Sequence, residues 1–138
     1  MSKSFVSAAV AAIAMFGMAT PAFAANQFDL VCKGTEQLKT GAPATKWEER
    51  FRMDLDAKRW CRGACKSAAP ISSVTADDIL LSDSRATIGG PADTEAAFSR
   101  TNGTIREYIM MGWSGSTASL AEGKCTRDLF SGLPGQRF

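Results

Sequence analysis

Period-two alternation organises most of the chain after residue 24. From Trp47 to Asp56, the residues Trp47, Phe51, Met53 and Leu55 share one parity, broken only by Glu49. Glu48, Arg50, Arg52, Asp54 and Asp56 take the other parity. Such a run predicts a strand with one packed face and one solvated face. Phe28, Leu30 and Cys32 alternate likewise with Asp29, Val31 and Lys33, which puts Cys32 on the apolar side of a first strand. Shorter strands are expected over 71–75 and 79–82, with a little more at 86–88, and Gly89 to Asp93 reads as a turn or irregular loop. Phe98 to Met111 carries a hairpin signal around Asn102-Gly103, the pair favoured where both turn residues take positive φ. Asn102-Gly103-Thr104 also fits a glycosylation pattern, but the turn accounts for it without sugar. Gly112 to Ser116 reads as the next turn, and a final strand is expected to run to about Cys125.

No segment shows a convincing amphipathic helix. Several short strands joined by turns predict an all-β fold, a small antiparallel sandwich or barrel. Pairing the first strand with the last would close the sheet. No repeat or linker divides the chain, so one β domain is expected over 25–127, followed by a Gly/Pro-rich tail over 128–138.

The first 24 residues follow another pattern. Met1 to Ser4 carries one positive charge, Phe5 to Met18 is apolar, and Ala22-Phe23-Ala24 places small residues where a signal peptidase reads. The run is too short for a membrane span, which takes about 20 apolar residues. A cleaved secretory signal over 1–24 is therefore expected, with a periplasmic or secreted product and no membrane span after cleavage. Taking 24 from 138 leaves 114 residues, and losing Lys3 lowers the net charge from +2 to +1. So small a charge does not point to nucleic acid.

Export changes the reading of the cysteines. Cys32, Cys61, Cys65 and Cys125 all lie beyond the leader, where oxidation is the default. Three pairings are possible. Close spacing favours Cys61 with Cys65, leaving Cys32 with Cys125 to join the first and last strands. A four-thiolate zinc site is the rival, but its usual spacing is C-x2-C and here it is C-x3-C. No metal and no cofactor is implied.

The chain has no histidine. That excludes a Ser-His-Asp triad, a Cys-His dyad and any histidine metal site. Gly112 to Ser116 lacks the last glycine of a nucleophile elbow, and Gly123-Lys124 is followed by cysteine instead of the Ser or Thr of a phosphate loop. After Asp54 and Asp56, Lys58 stands where a calcium loop needs an oxygen. Glu48-Glu49 and Asp77-Asp78 are better accounted for as surface solubility than as acid/base pairs. Thiol exchange is disfavoured because Cys61 and Cys65 lack both C-x-x-C spacing and a helix.

One stretch stands out. Lys58-Arg59-Trp60-Cys61-Arg62-Gly63-Ala64-Cys65-Lys66 has four cations and no acid around a small disulfide loop. It is expected to form a basic knob, with Lys58, Arg59, Trp60, Arg62 and Lys66 meeting an anionic protein or glycan surface. The alternative is a solvated turn with Trp60 covering the end of the core. Tyr108, Met110 and Trp113 could line a pocket, though core packing is the commoner fate of such residues. A terminal Phe138 fits outer-membrane barrels, but Gly132, Pro134 and Gly135 spoil the final alternating strand such a barrel needs.

Leu30 to Thr35, Met53 to Asp56, Arg100 to Gly103 and Gly123 to Cys125 form a series similar to small exported proteins of unknown function from Gram-negative bacteria. The resemblance implies a periplasmic β domain and no catalytic residues. A looser one exists to the periplasmic lysozyme inhibitors, whose inhibitory loop resembles Ser-Gly-x-x-Tyr; Ser114-Gly115-Ser116-Thr117-Ala118 departs from it at Ala118. The expected function is a non-enzymatic binding or interaction domain. The alternatives are an enzyme of thiol–disulfide exchange or carboxylate hydrolysis, or a lysozyme inhibitor.

Overall fold

In the computed structural model, which describes residues 26–39, 41–87, 90–112 and 116–135, the alternating segments become eight strands. These are β1 (Gln27–Leu38), β2 (Thr45–Asp54), β3 (Arg59–Arg62), β4 (Ala69–Val74), β5 (Asp78–Thr87), β6 (Gly90–Ser99), β7 (Thr104–Met111) and β8 (Ser116–Asp128). Each pairs antiparallel with the next, and β1 pairs with β8, so the sheet closes into a barrel in chain order. Closure removes the exposed edges that an open sheet of this length would present. The expectations for residues 1–24, Trp113, Ser114, Gly115 and Phe138 lie outside the described residues.

One parity of every strand faces inward. Leu30, Cys32, Phe51, Met53, Trp60, Ile79 and Leu81 are almost fully buried and form the core, with Phe28 and Phe98 nearby. At one end, here the floor, the Arg127 guanidinium stacks 3.9 Å over the Phe28 ring. Cys32 and Cys125 stand directly opposite each other across the β1–β8 seam and are joined by a disulfide, with Cα atoms 3.9 Å apart. A second disulfide joins Cys61 to Cys65.

The hairpin at Asn102-Gly103 forms where expected, but its turn is of another kind. Only Gly103 takes positive φ, at 70°. Its N–H donates to Ser99 O, while the Asn102 side chain accepts from the Thr104 N–H. Four residues separate β6 from β7, so a single left-handed glycine suffices. Other strands outrun their patterns. β5 is continuous from 78 to 87, and β6 begins at Gly90, taking up Pro91, Ala92 and Asp93. Pro91 is tolerated because it lies beside the strand's first residue, where a ladder donor matters least.

Residues after β8 pack on the outer face. Asp29 has no exposure although it points away from the core. It receives Arg50 Nη1 at 2.9 Å, the Ser131 hydroxyl at 2.6 Å and the Ser131 N–H at 3.2 Å. Arg50 also reaches Asp128, and Leu133 and Phe130 pack against the Cys61–Cys65 disulfide. Residues 128–135 of the expected tail thus form a strap across β1, β2 and β3.

Candidate binding site at the barrel mouth

The basic stretch does not assemble into one knob. β3 is a strand, so its residues alternate between faces: Trp60 and Arg62 turn inward, Arg59 and Cys61 outward. Trp60, expected at a surface, is 1% exposed, and its indole N–H donates to Pro70 O at 3.1 Å. An amphipathic ring with its single donor satisfied is at home in a core. Lys58 is exposed at the floor end of β3, and Lys66 is exposed at the opposite end. Arg59 is exposed and donates to Ala68 O at 3.3 Å. The structure therefore leaves Lys58 apart from Lys66 and takes Arg62 into the barrel.

Where Arg62 points inward, the lining changes character. β3 and β4 share only two paired positions, Arg59 with Pro70 and Trp60 with Ala69. Beyond Trp60 the two strands part, and Arg62 pairs on the β2 side alone, with Phe51. The parting opens a cleft of about 400 Å³, walled by Glu49, Arg62, loop residues 63–67, Ala92, Thr94 and Ile109. An eight-stranded barrel is just wide enough to fill itself with side chains or to hold one small ligand. Here the floor half is filled and the mouth half is partly open.

The mouth is built around three charged groups. Arg62 donates to Glu49 Oε2 through Nη2 at 2.8 Å and Nε at 3.2 Å. Its Nη1 lies 3.2 Å from Glu107 Oε2, an ion contact without hydrogen-bond geometry. Glu107 is 1% exposed, inward on β7 between Ile105 and Ile109, and neither of its oxygens has a hydrogen-bond partner. Native proteins rarely leave a buried polar group unpaired, because its lost hydration is not replaced.

Burial pushes the Glu107 carboxyl from 4.5 up to about 7; Arg62 pulls it down, and the negative charges of Glu49 and Glu36 push it further up. Burial works against the charge of Arg62 as well, yet Glu107 and Glu49 together hold its pKa above the ordinary arginine value. A stability effect follows. Between pH 4.5 and about 7 the unfolded chain releases the Glu107 proton while the folded chain keeps it, so stability falls as pH rises through that window. At roughly 1.4 kcal/mol per pKa unit the full loss is about 3 kcal/mol. Urea unfolding at pH 5 and pH 8 should show the native protein losing about 2–3 kcal/mol relative to Glu107→Gln. Equal pH dependence in the two proteins would contradict this.

Of the residues proposed from sequence, Arg62 and Lys66 lie at the cleft, while Lys58, Arg59 and Trp60 do not line it. Tyr108 and Met110 face outward, away from the mouth, with Arg106 5.7 Å from the centre of the Tyr108 ring. Glu49, read with Glu48 as surface solubility, instead turns inward and binds Arg62, because it sits at the apolar parity of β2; Glu107, a carboxylate at the apolar parity of β7, was not singled out. Cys32, Cys61 and Cys65 are buried and Cys125 is partly buried, and no cysteine is free. Compared with known protein families, curated proteins and solved structures, the chain matches none of them.

Proposed function

We propose that this chain is a non-enzymatic binding barrel of the periplasm or of a secreted pool, taking a small polar ligand at its mouth. Glu107 carries the reading: a buried carboxylate with no hydrogen-bond donor, held against the Arg62 that lines the cleft, is an acceptor awaiting one. The two disulfides fit an oxidising compartment.

Two observations weigh against the alternatives. Carboxylate hydrolysis would use Glu49 and Glu107 as a pair, but Arg62 touches both and stands where the scissile bond would have to lie. Thiol exchange needs an accessible sulfur, and Cys61 and Cys65 lie under Leu133. An anionic partner docking on Lys58, Arg59 and Lys66 is the weaker binding reading, since these cations are spread along β3 and beyond it.

Amide chemical-shift mapping with a library of small polar fragments tests the proposal. Saturable shifts should gather at residues 62–67, 92–94 and 107–109. Hits confined to other surfaces, or no hits, would overturn it.

A further inference from the structure

We propose that the mouth cleft is selective for a small organic carboxylate, a single carboxylate group on a short hydrocarbon stem. This rests on the mouth being the binding site and adds the charge and chemical class of its ligand.

Charge balance is the first ground. Arg62 and Lys66 line the cleft against one carboxylate, Glu49, so the wall carries an excess of one positive charge. Glu49 is already engaged: its Oε2 accepts both Arg62 bonds, and its Oε1 accepts the Arg50 N–H at 3.1 Å. Lys66 is exposed and forms no ion pair with any described residue. Glu107 is closed off from solvent and touches Arg62 without lining the cleft, and Glu36 also stands outside the lining. An ammonium ligand would add like charge beside Lys66, and a neutral one would leave that charge unmatched. A carboxylate matches it one for one. A phosphate, with roughly −1.5 to −2 at neutral pH, overshoots it.

Donor chemistry is the second. A guanidinium has five N–H groups, and Arg62 commits two of them to Glu49 as hydrogen bonds. The Lys66 ammonium brings three more, and Ser67 and Thr94 add hydroxyls to the wall. Donors are thus in excess, while both oxygens of the single lining carboxylate are taken. A ligand carboxylate accepts only, so it answers those donors without asking for an acceptor in return. The rest of the lining includes Gly63, Ala64, Ala92 and Ile109, around a space of about 400 Å³. That volume lies at the small end of ligand pockets. Its apolar part suits a short stem, which an inorganic anion lacks.

The test uses the 15N-labelled protein with both disulfides intact, at constant pH and ionic strength. The probes are butyrate, n-butylammonium, n-butanol and inorganic phosphate at matched concentrations. Butyrate is expected to give saturable shifts at residues 62–67, 92–94 and 109, while the other three give none there. Its affinity should fall about tenfold in Lys66→Gln, the effect of losing one charge-assisted hydrogen bond. Lys58→Gln removes a cation from the floor end and should leave the affinity unchanged. Both lysines are exposed, so neither variant threatens the fold. n-Butylammonium, n-butanol or phosphate matching or replacing butyrate at the mouth overturns the carboxylate assignment and leaves the binding reading standing. Butyrate affinity unchanged in Lys66→Gln, or lowered equally by both variants, overturns the assignment too. If no probe shifts the mouth residues, the carboxylate assignment falls, and the fragment library decides whether the binding reading falls with it.

Discussion

Exchanging Cys32 and Cys125 together for alanine is expected to lower the unfolding free energy by about 4–5 kcal/mol, the chain-entropy value for a loop near 100 residues. The two cysteines are 93 positions apart and directly opposed on the two strands that close the barrel. Without the bond, the unfolded chain regains the freedom of nearly the whole domain, and the β1–β8 seam must form by strand pairing alone. The Cys61–Cys65 bond spans only four positions. Its loss should cost about 2 kcal/mol by the same reasoning. Urea unfolding of the two double-alanine variants reads the order directly. Equal costs, or the reverse order, would mean that closing the seam is not where the long disulfide acts.

The same seam yields the second large effect. Gly34 on β1 faces Gly123 on β8. A Cβ added at Gly34 would lie 1.9 Å from Glu122 O and 2.5 Å from Gly123 Cα; one added at Gly123 would lie 2.5 Å from Lys33 O. Every one of these obstacles is backbone, so no rotamer change relieves the clash. Gly34→Ala should therefore destabilise by about 3 kcal/mol or more, at or above the upper end for overpacking, and Gly123→Ala by somewhat less. Gly41 is the comparison. It has φ +88° and open space around its Cβ position. Gly41→Ala should cost only the left-handed backbone strain, about 1–2 kcal/mol. Thermal unfolding of the three variants separates close packing from conformational strain. Gly34→Ala no worse than Gly41→Ala would contradict so tight an approach of β1 and β8.

Both effects concern closure, and closure was legible from sequence. Phe28, Leu30 and Cys32 announced an inward face on β1, and the even set of cysteines beyond residue 24 suggested a link to the last strand. What escaped notice has a common cause. β6 lines the mouth with Ala92 and Thr94, small residues whose weak hydrophobicity hides a strand. β3 turns Arg62 inward, so its alternation vanished into what looked like a charge run. The open half of the barrel is open because its inward residues are small or charged, and those residues carry the least period-two signal. Glu49 did leave a mark, as the one break in the inward parity of β2. Glu107, set between Ile105 and Ile109, broke parity in the same way on β7. Read together, the two interruptions would have pointed to a polar patch inside an otherwise apolar wall. That they meet at Arg62 depends on strand register across the barrel, which no local pattern encodes.

The claim beneath the binding reading is that Glu107 is a buried carboxylate left short of partners. A carbon-13 titration of the glutamate side-chain carboxyls tests it most directly, with Glu107 assigned by its loss in Glu107→Gln. A midpoint at about 7 is the predicted result, and a midpoint at the ordinary value of 4.5 would contradict it.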